Sequence, residues 1–225
     1  MGEAAKKIGK GIAVGMVGAT AALGALGKKA LGAYGDFEQL EGGIKTLFGT
    51  EAATVEEYAE SVGKNIDEVK EEYYNLQKAQ NKVFADAKSA YKEAGMSANE
   101  YMETVTSFSA SLIASLDGDT VKAAEISKKA VTDMADNANK MGSTLESIQN
   151  AYKGFSKQNY TMLDNLKLGY GGTKEEMQRL LTDAEKLSGM KFDMSNFADI
   201  VKAIGIIQDK MGITGTTARE AAGTI

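Results

Sequence analysis

The sequence predicts an all-α protein, and three observations carry that reading. Its 225 residues contain no proline, the residue that breaks helix interiors by removing an N–H and clashing with the preceding turn; average usage would supply about eleven. Apolar residues recur at helical spacing, and no segment alternates apolar and polar with a period of two for long enough to make a strand. Glycines end the periodic stretches, and after several of them a Ser or Thr with Glu three places on marks a helix start. Short connections make neighbouring helices mostly antiparallel, so the expectation is a multi-helix, bundle-like module.

Composition removes most chemistry. There is no histidine and no cysteine, which excludes imidazole bases, Ser-His-Asp triads, disulfides, thiol nucleophiles and Cys-based zinc sites. Lys and Arg number 26 against 31 Asp and Glu, a formal net charge of −5, the wrong sign for a general nucleic-acid binder. Neither specific nucleic-acid recognition nor a cofactor is expected.

The first element, residues 1–35, stands apart. It holds nine of the 25 glycines, begins with Lys6, Lys7 and Lys10, and runs uncharged from Gly11 to Gly27 before Lys28 and Lys29. Seventeen uncharged residues reach the lower bound for crossing a bilayer, about 17 to 25. Gly11, Gly15 and Ala19, with Ala21 and Ala25, form a small-xxx-small face that lets helix backbones approach closely. Three readings stay open: a packed or latent membrane-active helix, a Gly-loosened oligomerisation helix, and a secretory signal, although Ala-x-Ala is not met near Ala33. A dinucleotide fingerprint fails, because Val14 takes the third glycine's place after Gly9 and Gly11 and no strand precedes them.

Residues 36–225 form the helical body. Asp36 followed by Phe37, Leu40, Ile44, Leu47 and Phe48 reads as a capped amphipathic helix weakened by Gly42 and Gly43. Beyond Gly49 comes the most periodic stretch. Val62, Ile66, Val69, Tyr73, Leu76, Gln80, Val83, Ala87, Ala90 and Ala94 keep strict 4,3 spacing, a 3.5-residue seam of the coiled-coil type. The helix that carries it starts near Asn65 and is about 30 residues, or roughly 45 Å, long. The seam reads either as a surface for a partner helix or as the buried stripe of an ordinary long helix.

Gly95 closes that helix, and Ser97-Ala98-Asn99-Glu100 is a capping box for the next, which buries Tyr101, Val105, Phe108, Leu112 and Leu116. Asp117-Gly118-Asp119-Thr120 lacks the rest of a twelve-residue calcium loop and reads as a turn with an N-cap. An Ala-rich helix from about Val121 to Met141 turns Ala124, Val131, Met134, Ala138 and Met141 inward. Ser143-Thr144 starts another with Leu145, Ile148, Tyr152 and Phe155, and a short helix is expected around Tyr160 to Leu166. The weakly charged stretch 154–166 reads as either a binding surface or core. After the glycine loop at 169–172, Thr173 to Glu176 gives another capping box for a helix burying Met177, Leu180, Leu181, Ala184 and Leu187. Phe197 to Met211 follows, and Thr217 to Glu220 opens a last helix that ends at Ile225. So short a final helix is marginal alone, which suggests an excerpt from a longer chain.

No catalytic set emerges. Glu56-Glu57, Glu71-Glu72 and Glu175-Glu176 are adjacent on helices, so their side chains point about 100° apart, and no nucleophile, base and oxyanion donor converge.

Several long strings carry a resemblance. Asp36 to Gly49, DFEQLEGGIKTLFG, is similar to a segment of phage tail tape measure proteins from Gram-positive hosts. So are SANEYMETVTSFSASLIASLDGD from Ser97 to Asp119, DNANKMGSTLESIQNAYKGFSKQNYTMLDNLKLGYGGTKEEMQRLL from Asp136 to Leu181, Gly212 to Ala218 and Ala221 to Ile225. Residues 1–35 resemble the Gly/Ala-rich apolar stretch of those proteins. The resemblance implies a structural virion component that sets tail-tube length during assembly in the host cytoplasm and takes part in DNA ejection through the host envelope. It implies self-association and contact with the tail tube protein, tail assembly chaperones and tail tip proteins, with the host membrane as a further target of residues 11–27. At 1.5 Å per residue the whole chain could span at most roughly 340 Å, but its glycine breaks forbid a single rod. The resemblance therefore implies a helical module of a tape, not an entire ruler. The motifs of the muramidase and peptidase domains found in some members are absent. The rival reading is a secreted or membrane-inserting helical protein acting through its Gly-rich N-terminal segment.

Overall fold

A computed structural model describes residues 22–223, with side chains from residue 35 onward. Its helices are α1 (Ala22–Phe48), α2 (Val55–Val62), α3 (Ile66–Ala94), α4 (Ala98–Ala114), α5 (Thr120–Met141), α6 (Leu145–Phe155), α7 (Lys174–Ser188), α8 (Phe197–Lys210) and α9 (Thr216–Gly223). A 3-10 turn, Leu163–Leu166, lies between α6 and α7, and the described residues contain no strand. The fold is all-α, as the missing proline and the helical periodicity predict. Contacts divide the chain into two units, Met1–Gln39 and Leu40–Ile225; the core lies in the second.

Two expectations about α1 need correction. Asp36 does not cap a helix there, because it sits inside α1, and Gly42-Gly43 does not interrupt that helix. Gly43 lies close to α4: a Cβ there would stand 3.4 Å from the Thr106 methyl, at van der Waals contact. The turns from Leu40 onward bury Ile44 and Phe48 completely, and apolar burial outweighs the glycine penalty of roughly 1 kcal/mol per residue.

α2 ends at Gly63, whose φ of 67° is the left-handed C-cap conformation that glycine adopts without steric cost. α3 then restarts, with the Glu68 carboxylate accepting the Asn65 N–H at 2.9 Å. α3 is the longest helix of the second unit, 29 residues, or about 43 Å. Its first turns pack with α2 into a small separate cluster of Tyr58, Ala59, Val69 and Tyr73. The Tyr73 hydroxyl donates to the Ala53 carbonyl at 2.9 Å, and Tyr58 donates to Glu72 at 2.8 Å. Burial and that carboxylate together push the Tyr58 phenol up to about 12.

The main core is built around α5. It packs most extensively on α3 and also meets α4, α6, α8 and α9. Ala79, Ala87 and Ala90 of α3 and Ala123, Ala124 and Ala130 of α5 are all buried, so small side chains let these backbones approach. Phe108 of α4 meets Phe197 of α8 edge-on, with ring centroids 5.9 Å apart, and α8 buries Ile200, Val201 and Ile204 against the same core.

Caps follow the sequence in part. Ser97 and Glu100 make the expected reciprocal box, and Asp119 caps α5 by accepting from the Lys122 N–H. Thr173 accepts the Glu176 N–H, but the Glu176 carboxylate turns to the Gly171 N–H and to Arg179, so that box is half made. The short helix expected over 160–166 is reduced to the 3-10 turn. At the end of the chain the expected Thr217–Glu220 box is not formed. α9 starts one residue earlier, the Thr217 hydroxyl is buried without a hydrogen-bond partner, and Glu220 instead accepts from Asn139 at 2.8 Å.

Candidate functional site

The most organised polar feature of the molecule is the buried side of α5. Asp133, Asp136 and Asn137 are 1%, 0% and 0% exposed, and each clamps a different neighbour. Asp136 takes the Gly215 N–H at 2.6 Å and the Thr217 N–H at 2.8 Å, capping α9 from another helix. The Asn137 amide donates to the Leu166 carbonyl at 3.0 Å and so holds the 3-10 turn. Asp133 is paired with Lys129 at 2.9 Å, one turn back. On the α3 side, Lys128 bridges Glu93 at 2.8 Å and Asp86 at 3.2 Å; those carboxylates raise the ammonium's pKa.

The C-terminal end of α5 is closed from outside. Lys167 holds a left-handed backbone, φ 53°, and its Nζ donates to the carbonyls of Met141 and Gly142 at 3.1 and 3.2 Å. A cation on the last carbonyls of a helix also suits the helix dipole. Nearby, Ser143 donates to the Asn165 carbonyl at 3.0 Å. The Arg179 guanidinium lies 4.3 Å from the Tyr170 ring centroid and donates to the Gly169 carbonyl at 2.7 Å.

Burial sets the electrostatics of this interior. It raises Asp133 to about 6, an effect that Lys129 partly offsets and that the neighbouring charges of Asp136 and Asp209 reinforce. Burial also pushes the Tyr152 phenol well above its usual range, with the Asp133 charge adding to it. The Tyr152 hydroxyl and the Gln208 amide are buried beside each other, near enough for the amide to offset part of that rise, although neither makes a well-aligned hydrogen bond. Gly205 of α8 faces the Asp133–Lys129 pair: a Cβ there would come 2.8 Å from Asp133 Oδ2 and 3.0 Å from Lys129 Nζ.

The helix seam divides. Val69, Tyr73 and Val83 are buried and Leu76 is half-buried, Val69 and Tyr73 against α2 and Val83 in the main core. Val62 and Ile66 depart from it. They are 43% and 40% exposed, because the Gly63 cap ends α2 between them and breaks the 3.5-residue register. The seam below Ile66 is covered by the chain's own helices. Gly11, Gly15, Ala19 and Ala21 lie outside the described residues, and Ala25 falls within α1. Among the described residues no helix is long and apolar enough to cross a membrane.

A surface cleft of about 870 Å³ lies between α3 and the turn into α5, where Glu68, Glu71, Glu72, Asp117, Asp119 and Glu125 outnumber Lys122. No group of three acidic residues among the described ones is placed to hold a metal ion. The stretch 154–166 divides: Phe155, Tyr160, Leu163 and Leu166 are buried, whereas Lys157, Gln158, Asn159, Thr161, Met162 and Asp164 are exposed. Sequence reasoning missed the buried polar face of α5. A signal was present: Asp133, Asp136 and Asn137 stand at i, i+3 and i+4 beside Ala130, Val131 and Met134, which places carboxylates on an apolar face. Comparisons with protein-family models, with curated proteins and with solved structures found no match.

Proposed function

We propose that the chain is a structural module of a phage tail tape measure protein, acting through packing and shape rather than turnover. The observation that carries the reading is the resemblance of long, unusual strings, above all residues 136–181. Its physical support is that this stretch supplies much of the polar stitching of the fold: Asp136 caps α9, Asn137 holds the Leu166 carbonyl, and Lys167 closes α5. A string that specifies tertiary contacts rather than a reacting constellation suits a scaffold. On this reading the module associates with other copies and with tail tube, chaperone and tip proteins in the assembling virion, and residues 11–27 meet the host membrane on ejection.

Peptide mass spectrometry on purified phage particles and on free culture supernatant tests it. Peptides of this chain in particles, continuous past Ile225, are the expected result. Peptides found only free and beginning near Tyr34 would sink the tail assignment in favour of a secreted protein with a cleaved leader.

A further inference from the structure

The hairpin of α2 and α3 has its own small cluster, Tyr58, Ala59, Val69 and Tyr73, with Ala52, Val55 and Leu76 packed against it. Among the described residues, the main core takes up Phe48 before the hairpin and Ala79 after it, and nothing between. The connection is three residues, Gly63 to Asn65. A hairpin centred on Lys64 sets Val55 opposite Tyr73, Ala59 opposite Val69 and Val62 opposite Ile66. The last pair sits at the turn, where both side chains remain exposed.

A hairpin does not require its two arms to be in phase, but these are. Val55, Ala59, Val62, Ile66, Val69, Tyr73 and Leu76 keep 4,3 spacing straight through Gly63. Glu57, Glu60, Asp67, Glu68 and Glu71 all fall on the outer positions of that repeat. With Gly63 to Asn65 helical, the faces by which α2 and α3 touch would form one stripe along a single helix, residues 55–94. Two such helices laid antiparallel remake the hairpin's contacts between chains, Tyr58 to Glu72 and Tyr73 to the Ala53 carbonyl included. They also cover Val62 with Ile66 twice. A lone chain has no route to this form. Gly49 lies against the Gln80 side chain, and residues 49–54 stretch at most about 25 Å. On the straightened helix Val55 would stand about 37 Å from Gln80. The segment Leu40–Val62 therefore has to move as one, carrying Ile44 and Phe48 out of their own core.

We propose that two copies of this chain exchange the segment Leu40–Val62 by straightening the turn at Gly63, giving an intertwined dimer held by an antiparallel pair of helices. The partner is a second copy because the exchanged segment needs both the α3 seam and the places left by Ile44 and Phe48, and each chain vacates what the other fills. Gly63 is the switch. In the hairpin its φ is 67°, and its N–H and that of Lys64 both reach the Ala59 carbonyl. Glycine leaves that conformation for a helical one without steric cost, and so short a connection favours exchange. This inference stands independently of the tail assignment.

Paired spin labels on the full chain read the topology. The chain has no cysteine, so Glu56→Cys with Lys78→Cys, both at exposed positions, directs labels to those sites alone. Doubly labelled chain is refolded from urea at high concentration with excess unlabelled chain, and dimers are separated by size. Within one chain the labels should lie about 33 Å apart in the exchanged dimer and less than half that in the hairpin. Gly63→Ala puts its Cβ into open space but disfavours the turn and favours the helix. It should promote the dimer by roughly twenty- to a hundredfold for each of the two hinges. A short intrachain distance in every dimer, as association through another surface would give, would overturn the proposal. So would a dimer fraction that Gly63→Ala leaves unchanged. Should that variant not fold, Asn65→Pro reads the opposite way: the φ of −76° at Asn65 admits proline in the turn, whereas the middle of a continuous helix does not. It should abolish the 33 Å population, and persistence of that population counts against the exchange.

Discussion

Replacing Asp136 with Ala should unfasten α9 while leaving the rest of the body folded. The carboxylate accepts two backbone N–H groups, from Gly215 at 2.6 Å and Thr217 at 2.8 Å. Hydrogen bonds to a charged acceptor contribute about 1.5 to 3 kcal/mol each, so two would set a ceiling near 6 kcal/mol. Both donors are only part-buried and regain water once freed, and removal of a fully buried carboxylate recovers its desolvation cost. A net loss of about 2 to 4 kcal/mol is therefore expected. It should fall locally, because α9 has eight residues and helices that short do not persist without tertiary support. Native-state hydrogen exchange is the assay, with amides of residues 216–223 compared with those of α3. Collapse of protection in α9 with α3 largely retained is the expected pattern. Undiminished α9 protection, or a uniform loss across both helices, would refute the idea that this one side chain is the fastening.

Three further substitutions probe local geometry. Gly172→Ala should cost more than about 2 kcal/mol in urea unfolding, because its Cβ would collide with the Thr161 carbonyl oxygen, a backbone atom that cannot rotate away. Gln158→Gly should raise the urea midpoint by the equivalent of about 1 kcal/mol, since Gln158 holds a φ of 57° that glycine adopts without a Cβ penalty. Ser97→Ala removes an acceptor from the Glu100 N–H and should cost about 1 kcal/mol, with earlier thermal unfolding as the readout.

Most helices were legible because each depends on local information. The glycines at 95, 142 and 189 all adopt the left-handed cap, and apolar residues three and four apart between them became buried faces, whereas α2, ended by Gly63, was not foreseen. Legibility failed where a distant residue supplied what the local sequence lacked. α9 reads as a self-capped helix, yet its N-terminal donors go to Asp136, 79 and 81 positions away. α1 reads as starting at Asp36, since an Asp before an apolar run resembles a cap, but the preceding residues continue the helix. The seam on α3 was half legible for a related reason: spacing alone continued it through Gly63, where a single cap ended it. The polar interior of α5 was the hardest to foresee. Its partners come from α6, α8, α9 and a 3-10 turn, and no pattern within α5 says which will arrive.

The central place of α5 also bears on how the chain can be divided. α8 and α9 lie late in the sequence but fasten to α5, and α8 is bound to α4 as well, where Asn196 donates to the Ser115 carbonyl at 2.9 Å. A cut in the exposed loop at Gln158 would therefore sever the backbone without separating the parts, since each side still presents the apolar and polar surface that the other requires. Split there and expressed as two polypeptides, the body should reassemble by complementation. Split within residues 120–141, it has no such surface left to rebuild around.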